Sequence, residues 1–449
     1  MHRGWSALLV GVLVAGWGGV GSATAADRLS LANAMARARQ QAREVKAAQA
    51  RQQAAEERLT QAKGHRYPSL ALSETWINTD SPADAFALQL NQERFSFNDF
   101  VLSDPNNPSR LDTDITRLEI SLPLYTGGEL SGRIAQADQA AGAAGDSAGW
   151  QGDNAALAAA EAYVTLEQAR EYVALLGRAR DTVKAHVDLA RSYAEQGMIV
   201  DSEVMRAEVE LSRVDDLLET ARGNARMAAS NLAFRLGEDL STEWELAPLP
   251  APQAPAGDVA EWLASAEKRK DLEAARKMLR AGELEEKVKR AAYLPKVGLV
   301  ARGDLVDDTP FGGHGDSTTV IAVASLNLFA GGADRAAVAA ARWEAKAGRE
   351  DVERFAEGVK LQVRQAYEEA RTAALRYATA AKALHAAAEA ERITEERFKS
   401  GVVKMLDLID ATNARREAET RELVARADAL SARLRLAVEA GRGPESALP

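Results

Sequence analysis

The chain has 449 residues, enough for two or three ordinary domains, yet only 5% are aromatic, which argues against several rich globular cores. A net charge of −10 argues against a nucleic-acid partner, whose binder would carry a basic face. Cysteine is absent, which excludes disulfides, thiol catalysis, cysteine zinc sites and a lipidated N-terminal cysteine.

At the N-terminus, Arg3 precedes an uncharged apolar run, Leu8 to Val20, and the small-x-small triplet Ala23-Thr24-Ala25. Residues 1–25 are therefore expected to be a cleaved export signal, with an uncleaved anchor as the alternative. The mature chain then begins near Ala26 and works outside the cytoplasm. No later stretch approaches the roughly 20 apolar residues of a membrane helix.

A first helix is expected from about Ser30 to His65, ending at Pro68, because proline biases its predecessor toward extended geometry. Strands follow at about Ser69–Asn78 and Ile115–Tyr125. In the second, Leu118, Ile120, Leu122 and Leu124 alternate with Arg117, Glu119 and Ser121, a period of two with one apolar face. After "LPLYTGG" the segment Glu129 to Glu195 has no proline and predicts a helix on the order of 100 Å long at ~1.5 Å per residue. Its glycines Gly142, Gly145, Gly149 and Gly152 predict a bend. A tight turn at Gly197 and a returning helix complete the unit.

Ala247–Gly257, "APLPAPQAPAG", holds four prolines and forms a linker. Asp258 and Glu261 then resemble a capping box. Strands are expected at about Lys296–Leu305 and Thr318–Phe329. "LNLFAGG" leads into a second long helix, Asp334 to Lys399, in which Val352, Phe355, Val359, Val363, Ala366 and Ala370 recur at helical spacing as a coiled-coil seam. Its turn lies at Gly401.

The two halves share one plan. Gly127 and Gly331 are separated by as many residues as Gly197 and Gly401, so the segment between these landmarks has one length in both copies. The chain divides into a first repeat, 26–246, the linker, 247–257, a second repeat, 258–440, and a tail, 441–449. Each strand is long enough to cross a membrane when tilted, with a pair of soluble hairpins as the alternative. Four strands cannot close a barrel, and membrane barrels need about eight or more. Membrane strands would therefore require a ring of sister chains. The apolar residues at both turns suit either a docking surface or packing of one tip on the other.

These features resemble the TolC-type outer-membrane efflux channels, and the resemblance spans almost the whole mature chain. "YPSLAL", "LPLYTGG", "YAEQGMIVDSEVMRAEVEL", "LPKVGL", "LNLFAGG" and "FKSGVVKMLDLIDATNARRE" carry it, with "AFALQLNQERFS" in the first outer loop. It implies a mainly α fold with a membrane β-barrel: a homotrimer whose long coiled-coil helices form an α-barrel tunnel and whose strands, four per protomer, complete a twelve-stranded barrel. It implies a passive exit duct in outer-membrane lipid, with no enzymatic activity and no cofactor. The partners implied are a periplasmic adaptor and an inner-membrane RND or ABC transporter, in a tripartite efflux or type I secretion system. A soluble periplasmic coiled-coil adaptor or scaffold is the competing reading.

The resemblance also assigns residues. Gly197, Met198 and Ile199 in one turn, with Gly401, Val402 and Val403 in the other, match the adaptor-docking tips. Asp407 and Asp410, three apart and so on one helix face, match the aspartates lining the periplasmic constriction. A solvated helix start is the alternative for this pair. The family's latch arginine is replaced by Val403, so a gate latch is expected around Lys404 with Glu203 and Ser202, or not at all.

Overall fold

The computed structural model describes residues 28–98, 101 and 104–448. The expected export signal lies outside the described residues. Four strands, β1 (Ser69–Thr79), β2 (Leu111–Thr126), β3 (Lys296–Asp307) and β4 (Gly315–Ser325), form one antiparallel sheet in the order β1-β2-β3-β4. The sheet is open: β1 and β4 are its two edges. β4 stops at Ser325 rather than near Phe329, and Leu328 and Phe329 beyond it are exposed.

Residues opposite each other in the ladder share a face. Leu70 faces Ile120, Ile120 faces Ala301, and Ala301 faces Val320, while Leu72 faces Leu118. These residues, with Leu122 and Leu299, make one side apolar. The other side carries the rows Ser73–Arg117–Asp304–Ser317 and Ala71–Glu119–Arg302–Thr319. There Arg117 grips Asp304 with two hydrogen bonds, 2.7 and 3.1 Å. Trp76 stands near the loop end of the apolar side. A bulge between Pro123 and Tyr125 brings Tyr125 opposite Val297, on that same side near the helix end. An apolar band edged by exposed aromatics is the surface of a strand assembly facing lipid.

A helix that the sequence reading did not place lies in the loop between β1 and β2. In chain order the helices before it are α1 (Leu31–Gln41) and α2 (Arg43–Gly64), and the loop helix is α3 (Pro82–Asn91). The expected single helix 30–65 is thus broken at Ala42, whose ψ of 135° is extended. Nothing local to the sequence breaks it. The cause is tertiary: a Cβ on Gly237 would lie 2.8 Å from the Gln41 carbonyl oxygen, so another helix end abuts the break.

The remaining helices are α4 (Glu129–Glu195), α5 (Asp201–Leu236), α6 (Val259–Ala266), α7 (Lys270–Arg290), α8 (Ala333–Lys399) and α9 (Met405–Glu439). α4 and α8 each have 67 residues, so each is about 100 Å long. They pair with α5 and α9 as two hairpins, and α2 and α7 pack on α4 near the sheet. α4 is uninterrupted, and its glycines serve close approach: a Cβ on Gly149 would meet Lys270 Cδ at 2.9 Å, and one on Gly142 would meet Lys277 Cδ at 3.3 Å. The α8 seam is buried at Val359, Val363, Ala366 and Ala370 against Trp262, Ala266, Leu436 and Ala440. Phe355 falls outside it, exposed.

Contacts at mid-height tie the first half to the linker and to the second half. Leu29 bridges Leu246, and the fully buried Tyr163 hydroxyl lies 2.8 Å from Leu29 O and 2.6 Å from Ala247 O. Its one proton is shared between the Ala247 carbonyl and the Leu29 carbonyl, which also accepts the Ala247 N–H at 2.9 Å. Arg269, also buried, reaches Asp271 at 2.6 Å, Glu439 at 2.8 Å and the Trp150 ring at 4.6 Å.

Candidate functional site

Both hairpins end in the same backbone figure. Gly197 and Gly401 take positive φ, 69° and 75°. Gly197 N–H donates to Ala194 O and Met198 N–H to Tyr193 O, each at 2.9 Å, and Gly401 and Val402 repeat this onto Phe398 and Arg397. This pattern closes a helix and needs a left-handed residue, which glycine supplies without a Cβ clash. Val200 and Lys404 are then the extended caps of α5 and α9.

The expected docking residues divide into two groups. Ile199 and Val403 turn inward, joining Ala190, Phe398, Met405 and Leu408 in a small core where Tyr193 stacks on Phe398 at 5.9 Å. Met198 (56% exposed) and Val402 (72%) turn out, beside exposed Val200. Tip-on-tip packing and an exposed apolar tip therefore coexist, on opposite sides of each turn.

Asp407 and Asp410 are both exposed. The buried side of α9 here is Met405, Leu408 and Thr412, so the two carboxylates project from the opposite side of the helix. Asp407 also accepts the Lys404 backbone N–H at 2.9 Å, closing the first turn of α9. Its charge thus stabilises an N-terminus as well as marking a face. Among the described residues Lys404 makes no ion pair with Glu203 within the protomer. Glu203 is partly buried with Oε2 lacking a hydrogen-bond partner, and Ser202 is exposed.

Above the tips lies a cluster of charges that sequence reading missed. Arg415 binds Glu391 at 2.6 Å, joining α9 to α8, and Arg416 reaches Glu210 at 3.2 Å, joining α9 to α5. Glu391 and Glu210 are buried. His186 of α4 is buried near Glu391, and that burial holds its pKa below the usual histidine range, with Glu395 and Glu391 opposing the shift and Lys399 adding to it. The adjacent arginines in "NARRE" were the one available signal, but only the fold shows which acids they meet. Among the described residues no group of three or more His, Asp or Glu side chains is placed to hold a metal, and no helix is long and apolar enough to cross a membrane.

An open sheet with a lipid-type face, carried on paired hairpins of this length, defines a class: a barrel-forming membrane protein with a helical tunnel. Residues 34–238 and 264–442 match the model of the outer membrane efflux protein family, and the chain belongs to that family. The fold is similar to that of the CmeC outer membrane channel of Campylobacter jejuni (TM-score 0.77, 15% identity, covering 92% of this chain and 86% of that one). It is also similar to the outer membrane protein VceC of Vibrio cholerae (0.75, 18%, 92% and 96%) and to a membrane protein from Pseudomonas aeruginosa (0.76, 19%, 92% and 92%). No curated protein matches the chain in sequence. The chain is therefore an outer-membrane efflux protein with its helical tunnel in the periplasm, and its family is one of channel proteins rather than enzymes. The sheet is its membrane part, with the β1–β2 and β3–β4 loops outermost.

Proposed function

We propose that the protein is a trimeric channel-tunnel, the passive exit duct of a tripartite efflux or type I secretion system. One observation carries this reading: a four-stranded sheet with an apolar face and two free edges. Unpaired N–H and C=O groups at membrane depth cost several kcal/mol each, so β1 must pair with β4 of a neighbour. Three copies give twelve strands, an even number within the bacterial range. Membrane-extracted protein should have the mass of three chains and conduct ions across planar bilayers. A dissolved single chain without detergent that leaves the bilayer silent would overturn the reading.

Within that duct, Asp407 and Asp410 form two stacked acidic rings at the periplasmic end, supported by their projection away from the tip core. Such rings favour cations. Gly197, Met198, Gly401 and Val402 form the exposed part of the adaptor-docking tips, and Ile199 and Val403 hold that part in shape from behind. The adaptor links the tips to an inner-membrane RND or ABC transporter. Lys404, Glu203 and Ser202 act as a latch between neighbouring copies, since Lys404 and Glu203 are unpaired within one. Glu203→Ala should then raise single-channel conductance, and an unchanged conductance rejects the pairing.

A further inference from the structure

We propose that α3 lines a second constriction, apolar and at the outer mouth of the channel, where Phe86 and Leu90 select the solutes that leave. The inference rests on the trimeric duct reading. Its first support is the side of the sheet on which α3 sits. Gly315 opposes Val306, which opposes Ile115; two residues along, Ser317, Asp304 and Arg117 continue that face, the polar one. A Cβ on Gly315 would stand 2.0 Å from Asn91 O, so the end of α3 lies directly on it. Gln92 donates to Thr113 Oγ1 at 2.8 Å, and Thr113 belongs to the same face. Thr113 and Val306 are buried there. In an outer-membrane barrel the apolar face meets lipid and the polar face lines the interior. α3 therefore lies inside the barrel rather than over its rim.

The second support is the helix itself. Ala85 and Leu88, with Gln92 after the last turn, are buried against the sheet. The opposite side carries Ala83, Phe86, Ala87 and Leu90, all exposed. A helix side that met bulk water in an outer loop would be polar, whereas this helix is apolar on both sides. The loop is also fixed rather than trailing. Gln92 donates to Asp112 O at 3.0 Å, Arg94 binds Asp307 at 2.7 Å and also Asp308, and Phe86 meets Phe95 edge to face at 5.1 Å. Three copies would bring three such faces around the axis. An apolar narrowing resists wetting, so it hinders ions while admitting greasy solutes.

The chain has no cysteine, so an introduced one is the only thiol. Leu90→Cys, Ala87→Cys and Phe311→Cys channels would be treated in planar bilayers with a polymer-bearing maleimide from the outer side. Phe311 is exposed and its N–H binds Glu74, which belongs to the lipid side of the sheet, so it serves as a control outside the barrel. Conductance should fall to about half or less at positions 90 and 87 and hold at 311. Conducting channels unaffected at both 90 and 87, or blocked equally at 311, would overturn the constriction alone. Absence of conductance in every unlabelled channel would overturn the duct reading and this inference with it. As a second measurement, Phe86→Ser with Leu90→Ser should raise ion conductance about twofold or more in channels already carrying Asp407→Ala and Asp410→Ala. No rise there would mean that the mouth is too wide to select.

Discussion

Asp407 combines two roles that separate by substitution. Its carboxylate caps the first turn of α9 and projects from the side facing away from the tip core. Asp407→Asn keeps an acceptor for the Lys404 N–H but removes the charge, so cation selectivity in a bilayer should weaken with thermal stability nearly unchanged. Asp407→Ala should lose both, with about 0.5–1 kcal/mol of helix stability. His186 gives a pH prediction. Burial depresses its pKa below the ordinary 6.5, so the unfolded state binds more protons than the folded one as the solution is acidified. Its contribution is complete above about pH 6.5 and is lost as pH falls through the depressed value. Amide exchange near the tips should therefore speed up between pH 7.5 and pH 5.5, and His186→Leu should reduce that acceleration. The Asp pair and the tip glycines were legible in the sequence because i, i+3 spacing and a lone glycine after a long helix have one local meaning. His186, Glu391 and Glu210 were not, because their environment is made by three other helices.

At the level of elements, what the sequence revealed and what it hid follow a physical division. The long helices were legible from unbroken runs without proline, and β2 from its strict alternation. β4 was harder to end, since Leu326 and Leu328 continue the apolar period past the last ladder bond at Ser325. The break at Ala42 left no local trace because a distant glycine makes room for it. Of the α4 glycines expected to bend that helix, Gly142 and Gly149 mark where α7 presses close. α3 was hidden for a related reason: a short helix apolar on both sides has no amphipathic signature. One element-level contact is open to direct test. Tyr163→Phe removes the hydroxyl shared by Leu29 O and Ala247 O, so Ala247 O loses that donor while Leu29 O keeps the Ala247 N–H. The loss should be about 0.5–1.5 kcal/mol, read as a lower midpoint in thermal unfolding of the detergent-solubilised protein.

For the whole molecule, the two sides of the sheet should respond oppositely to one substitution. Leu118→Arg places a charge in the centre of the apolar band, at about 2–4 kcal/mol if that band meets the middle of the bilayer. Ser121→Arg places the same charge on the polar side, where water can receive it. Heat-resistant trimer on a gel should therefore be lost for the first and kept for the second. Equal loss would mean that lipid does not distinguish the two sides.

Equal length in α4 and α8 has a further consequence. Both helices leave the sheet at a double glycine and both reach the tip level after 67 residues. Shortening only one would draw its point out of the common plane and strand its sister in water. Any change of reach across the space between the two membranes must consequently be made twice over, by matched steps that keep the helical phase, such as about 18 residues for five turns. Relatives adapted to a wider or narrower gap should carry such insertions or deletions as twins.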